Sequence, residues 1–185
     1  MGSQSEGTVE YLTRDGLNAC LKVGAESGWW ELGRRSLVVA QVYRRENGYF
    51  ALPVVAHPSG GGVIRRELPA TVIDRAASDD EVGAALQTVL AQPETSLPDP
   101  KSKRPSILRQ AKASSWLDLV KTSETVDVMR RHEHFIVDVW VRDRTRLDGV
   151  QIPGPDGQAH LVRPSPEQLG RAVMRACDAA AQWEA

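Results

Sequence analysis

Two stretches of this chain spell the same kind of helix, and that recurrence limits the folds open to it. The later one runs Ser165-Pro166-Glu167-Gln168-Leu169-Gly170-Arg171-Ala172-Val173-Met174-Arg175-Ala176-Cys177. The earlier one runs Ser78-Asp79-Asp80-Glu81-Val82-Gly83-Ala84-Ala85-Leu86-Gln87-Thr88-Val89-Leu90. Each opens on a serine suited to cap a helix, reaches a glycine five residues later, and sets small or aliphatic residues at matched positions. Val82, Ala85, Leu86, Val89 and Leu90 fall at helical spacing on one face, as do Leu169, Ala172, Val173, Ala176 and Cys177. The spacing predicts helices over 79–91 and from Pro166 to about Gln182. A glycine inside a helix costs about 0.8–1 kcal/mol relative to alanine. Close approach to a sheet or to another helix is the expected compensation at Gly83 and Gly170; backbone exposure to a ligand is the alternative.

Between the helices the pattern is that of short strands and turns. Ser36 to Tyr43 is β-branched and apolar, Glu46-Asn47-Gly48 is a turn signal, and Tyr49 to Ala56 is the return strand. Pro53 marks an edge or a bulge, because it has no N–H to donate. Pro58-Ser59-Gly60-Gly61-Gly62 reads as a connection and not as a phosphate loop, since no Gly-Lys-Ser/Thr follows. Val63–Leu68 and Thr71–Ile73 read as further strands. Gln92 to Ser106 carries four prolines and reads as a linker. Ile107 to Lys121 is helix-permissive. Glu124–Met129 and His134–Val141 are strands, the second with Phe135, Val137, Val139 and Val141 on one face. Gly149–Ile152 and Ala159–Val162 flank a turn at Pro153–Gly157. A short helix within Val9–Lys22 follows from Leu17, Cys20 and Leu21.

The two halves repeat one order. Trp30 aligns with Trp116 at an offset of 86 (116 − 30), which also brings Val42 to Val128, Arg44 to Arg130, Arg45 to Arg131, Tyr49 to Phe135 and Val55 to Val141. The helix motif follows at 87 (165 − 78). The expectation is an α+β fold of antiparallel β-meanders, each packed by a helix, as pseudo-duplicated units within one domain spanning 1–185. The units cover about 29–91 and 115–182, with the linker at 92–106. Parallel pairing is disfavoured, because the strands are joined by turns too short for crossovers.

Composition bounds function mainly by what it withholds. A formal net charge of −1 supplies no global field for nucleic acid. No run approaches the roughly 18 apolar residues of a membrane span, and no secretory signal is apparent, which favours the cytoplasm. Cys20 and Cys177 read as buried free thiols, with a disulfide between them left open. His132-Glu133-His134 is the most metal-like cluster, with His160 as a guessed third ligand, yet it reads more simply as a solvated turn. No Gly-x-Ser-x-Gly elbow supports serine catalysis. No cofactor and no enzymatic activity are expected. The pairs Arg34-Arg35, Arg44-Arg45, Arg65-Arg66 and Arg130-Arg131, with Trp29, Trp30 and Trp140, leave a nucleic-acid-binding sheet face as an alternative. Asp138, Asp143 and Asp148 belong either to a partner surface or to ordinary solvated charge.

The phrase Ser165–Val173, its counterpart Ser78–Leu86, and Ser115-Trp116-Leu117 opening the second half resemble the immunity proteins of bacterial contact-dependent growth inhibition systems. That family closes on a Ser-x-x-Glu-(Ile/Leu)-Gly-x-Ala-(Leu/Val) helix and carries a similar Ser-Asp-Glu-Glu-(Leu/Ile)-Gly helix mid-chain. The resemblance covers about Trp30 to Cys177 and departs at Gln168, where the family often has Glu, and in the long proline-rich linker. It implies a protein that binds a cognate toxin domain, often a nuclease, in the cytoplasm and blocks it without turnover. The family's motifs fix no toxin-contact residues. By residue type alone, Trp29, Trp140, Arg44 and Arg130 are candidate anchors, with Asp138 and Asp143 as candidate polar contacts.

Overall fold

A computed structural model describes residues 9–10, 37–56, 62–64, 70–91, 106–142, 149–151 and 158–182. Its strands are β1 (Val9–Glu10), β2 (Leu37–Arg45), β3 (Gly48–Ala56), β4 (Gly62–Ile64), β5 (Thr71–Ile73), β6 (Glu124–Arg131), β7 (His134–Arg142), β8 (Gly149–Gln151) and β9 (Gln158–Val162). Its helices are α1 (Asp79–Ala91), α2 (Ser106–Gln110), α3 (Trp116–Lys121) and α4 (Pro166–Gln182). The two long helices take the bounds that the sequence pattern predicts. Each starts on a reciprocal capping box. The Ser78 amide donates to Glu81 Oε2 at 2.8 Å, and the Glu81 amide donates back to Ser78 Oγ at 3.4 Å. The Ser165 amide donates to Gln168 Oε1 at 2.9 Å, and the Gln168 amide to Ser165 Oγ at 3.2 Å.

The fold is α+β. All described strands join one antiparallel sheet in the order β1-β9-β7-β6-β2-β3-β4, with β5 also on β3 and β8 also on β7. The two meanders expected from the sequence are therefore not separate sheets. The β2–β6 ladder fuses them, running from Leu37↔Arg131 to Arg44↔Glu124. On one side of it β3 carries β4 and β5; on the other β7 carries β8 and β9. Pro53 sits at the gap where the outer neighbour of β3 changes from β5 to β4.

Strand alternation gives this sheet two dissimilar faces. On the first, Ala40, Val42, Tyr49, Ala51, Val126, Val128, Phe135, Val137, Val139 and Leu161 pack beneath both long helices. Those helices contribute Val82, Leu86, Val89 and Leu90 from α1 and Leu169, Val173, Ala176 and Cys177 from α4. Each fully buried aliphatic side chain of this kind contributes about 1.5–3 kcal/mol. On the second face, Tyr43, Phe50 and Leu52 pack with Ile107, Leu108, Leu119 and Val120 of α2 and α3.

The stretch expected as helix-permissive over 107–121 is two short helices. After Gln110 the Ala113 amide donates to Leu108 O at 2.8 Å and the Lys112 amide to Arg109 O at 3.2 Å, with Lys112 at φ 54°. This is a Schellman ending built on lysine where glycine is usual. Ser115 then caps α3, accepting from the Asp118 amide at 3.0 Å. The other departure is at Val9–Glu10, which pairs with β9 as a strand; the rest of the short helix expected within 9–22 lies outside the described residues.

Candidate partner-binding site

The centre of the molecule is the β2–β6 ladder, and its chemistry differs between the two faces. On the second face Gln41 lies opposite Asp127, and Asp127 lies opposite Asp138. Tyr43 Oη donates to Gln41 Oε1, Gln41 Nε2 donates to Asp127 Oδ1 at 2.8 Å, and Gln158 Nε2 donates to Asp138 Oδ1 at 2.5 Å. Asp138, expected as a partner contact, is 5% exposed and belongs to this internal polar row. Nearby on β6, Thr125 is 2% exposed and its Oγ1 lacks a hydrogen-bond partner. Residue-type reasoning missed Gln41, Asp127 and Gln158. The available signal was Gln41 itself, a lone amide within an apolar strand.

On the first face the two candidate arginines part company. Arg44 is 5% exposed. Its Nε donates to Glu124 Oε2 at 3.1 Å, its Nη1 to Asp178 Oδ1, and its Nη2 to the Cys177 carbonyl at 2.8 Å. Burial opposes the charge, but the Asp178 and Glu124 carboxylates outweigh it and raise the Arg44 pKa above its usual value. The geometry is that of an internal clamp holding α4 to β2 and β6, so the sequence-based view of Arg44 as an anchor needs correcting. Arg130 is half-buried and, among the described residues, its side chain has no hydrogen bond or ion pair.

Trp140 takes part in β7 opposite Thr125 and Gln151. Trp29 and Asp143 lie outside the described residues, as do Trp30, Asp148 and the pairs Arg34-Arg35 and Arg65-Arg66. In the pairs Arg44-Arg45 and Arg130-Arg131, strand alternation sends the two members to opposite faces. They therefore do not build one cationic groove.

The histidine cluster lies at the exposed turn that the sequence suggests. His132 and Glu133 form the β6–β7 turn, with His132 at φ 54°, so His132 and His134 do not share a strand face. The structure instead brings His134 to His160, with Nδ1 and Nε2 3.1 Å apart. Glu133 is bonded by Arg163, which holds its carboxyl below the usual range. Among the described residues no group of three or more His, Cys, Asp or Glu could hold a metal ion. Cys177 is a buried free thiol, and burial pushes it up to about 12. Cys20, its suggested partner, lies outside the described residues. No described helix is long and apolar enough to cross a membrane.

No protein-family model and no curated protein matches the chain. Solved structures do match in fold. One is a protein of unknown function from Neisseria meningitidis, at 15% identity and a TM-score of 0.56, covering 77% of this chain and 94% of that one. Another is a chain of the CdiA-CT/CdiI toxin and immunity complex from Yersinia pseudotuberculosis, at 14% identity and a TM-score of 0.55, covering 77% of this chain and 97% of that one. At these identities the likeness is one of fold.

Proposed function

We propose that this chain is an immunity protein that binds and neutralises a cognate protein toxin domain. The observation that carries the reading is the shared fold with a chain of the toxin and immunity complex, across nearly all of that chain. The helix phrases at Ser78 and Ser165, through their resemblance to the immunity-protein family, point the same way. We further read the toxin as nuclease-type, the site of action as the cytoplasm, and the two halves as a duplicated unit. Inhibition is by occlusion of the toxin's active site or by binding beside it, and needs no turnover. A stable complex of this kind buries about 1,600 Å² in total and rests on a few aromatic or arginine anchors. Trp29, Trp140, Arg130 and Asp143 remain the candidate contacts. Arg44 and Asp138 act within the fold.

The alternative, nucleic-acid binding through a sheet face, is less well supported, because alternation divides the arginine pairs between faces. The decisive experiment co-expresses the chain with the C-terminal domain encoded by the gene immediately upstream. Restored growth and co-elution of the two proteins are expected. Unrelieved toxicity with no complex overturns the reading, and salt-dependent oligonucleotide binding would support the alternative.

A further inference from the structure

The β2–β6 ladder is balanced about Gln41↔Asp127, two residues separated by the same offset of 86 that relates the two halves. Three positions toward one end lies Arg44, opposite Glu124; three positions toward the other lies Arg130, opposite Val38. Both arginines sit on the helix-covered face of the sheet, and 130 − 44 is again 86. Their surroundings are not equivalent. Arg44 has two carboxylates, from Glu124 and Asp178. The position matching Glu124 is Val38 (124 − 86), and the position matching Asp178, at the helix offset of 87, is Ala91. Opposite Arg130, the place that Glu124 takes opposite Arg44 is thus held by the aliphatic Val38.

We propose that Arg130 is the anchor that receives a carboxylate from the toxin partner. The inference rests on the toxin-inhibitor reading. An arginine spends its five donors most strongly on a carboxylate, in a two-point fork. The half-buried Arg130 has no such group among the described residues. Across the ladders it is flanked by Val38 on β2 and by Phe135 on β7, the latter 7% exposed. These apolar neighbours offer no competing acceptor and keep water from one side of the guanidinium, which strengthens a charge pair formed there. An arginine seated among apolar neighbours is the type of residue that dominates binding energy at protein interfaces. The internal clamp and the proposed external anchor are thus the same side chain, placed at matched positions and distinguished by what lies opposite.

The test uses the full chain and the C-terminal domain of the protein encoded by the gene immediately upstream, the same probe as in the co-expression experiment. Arg130→Ala is expected to weaken binding about tenfold or more with an unchanged thermal midpoint, and Arg130→Lys to recover only part of the loss. Val38→Glu supplies the missing carboxylate from within. It is expected to raise Tm by about 2 °C in the wild-type background, to give no rise beside Arg130→Ala, and to weaken toxin binding. Wild-type affinity in Arg130→Ala overturns the anchor while leaving the toxin reading standing. A Val38→Glu effect independent of Arg130 overturns the unmet position opposite Val38. Absence of any binding by the wild-type chain overturns both readings. Should Arg130→Ala fail to fold, Val38→Glu decides: a higher Tm with weakened binding supports the anchor, and unaltered binding overturns it.

Discussion

Gly83 and Gly170 face each other where α1 crosses α4, and each occupies space that a side chain would deny to the other helix. A Cβ on Gly83 would lie 1.7 Å from Pro166 O; one on Gly170 would lie 1.8 Å from Asp79 O and 2.9 Å from Gly83 N. The obstacles are backbone atoms of the capping turns, so no rotamer change relieves them. Gly83→Ala and Gly170→Ala are each expected to destabilise the protein by about 2–4 kcal/mol, even though alanine gains about 1 kcal/mol in helix propensity. Urea unfolding of the two single variants and the double variant tests this. The double is expected to cost less than the sum, because one separation of the helices accommodates both.

Arg44 holds the C-terminal half of α4 through the Cys177 carbonyl while pairing with Glu124 and Asp178. Asp178 is 62% exposed on its side chain and Glu124 31%, so removing the arginine leaves both carboxylates within reach of water. The cost of Arg44→Ala is accordingly set at about 1–3 kcal/mol, below that of breaking a fully buried pair. Toxin affinity per folded molecule is expected to be unchanged. A large loss of affinity with little loss of stability would show that Arg44 reaches the partner.

The two capping boxes differ in the side chain that closes them, Glu81 in one and Gln168 in the other, and that difference is readable in pH. Backbone and side-chain hydrogen bonds from Ser78 hold the Glu81 carboxyl below its ordinary 4.5. A depressed acid contributes stability that is present above the unfolded value and is lost as pH falls through the folded one. Gln168 accepts the corresponding backbone bond from Ser165 in α4 with an amide that does not titrate. Thermal midpoints measured between about pH 5 and pH 3 are expected to fall less steeply in Glu81→Gln. Gln168→Glu is expected to steepen the fall and to raise stability near neutral pH, since a carboxylate suits the first turn of a helix. Equal slopes in all three proteins would contradict the assignment.

Cys177 is fully buried between α4 and the sheet, and burial raises its thiol to about 12. A thiol reacts as the thiolate. In the native protein at pH 8, Cys177 is therefore expected to resist iodoacetamide, and to be alkylated once urea unfolds the chain. Mass mapping of labelled peptides distinguishes it from Cys20. Rapid native labelling of Cys177 would mean that α4 opens readily.

Gln110 stands in for a strand. Its side-chain amide donates to Ala70 O at 3.0 Å and accepts from the Ala70 amide at 2.9 Å, just before β5. Gln110→Ala leaves both backbone groups unmet and is expected to cost about 1–2 kcal/mol. Faster amide exchange at Ala70 measures the loss locally.

By itself the sequence determined the parts that depend on local chemistry. The serine caps, the 3.6-residue stripe and the following breaks set α1 and α4 to their observed bounds. Alternation and turn residues located β2, β3, β6 and β7. The α2–α3 break escaped it, because Lys112 takes a backbone conformation that composition assigns to glycine. The tertiary structure alone decided that the two meanders share one sheet, since register between strands distant in sequence is a property of pairing and not of either strand. It also decided the fate of the arginines. Arg44 and Arg130 are the same residue type at matched positions, and only the packing shows Glu124 and Asp178 closing on one and Val38 lying opposite the other. A side chain's role depends on the groups brought within a few ångströms of it, and those come from elsewhere in the chain.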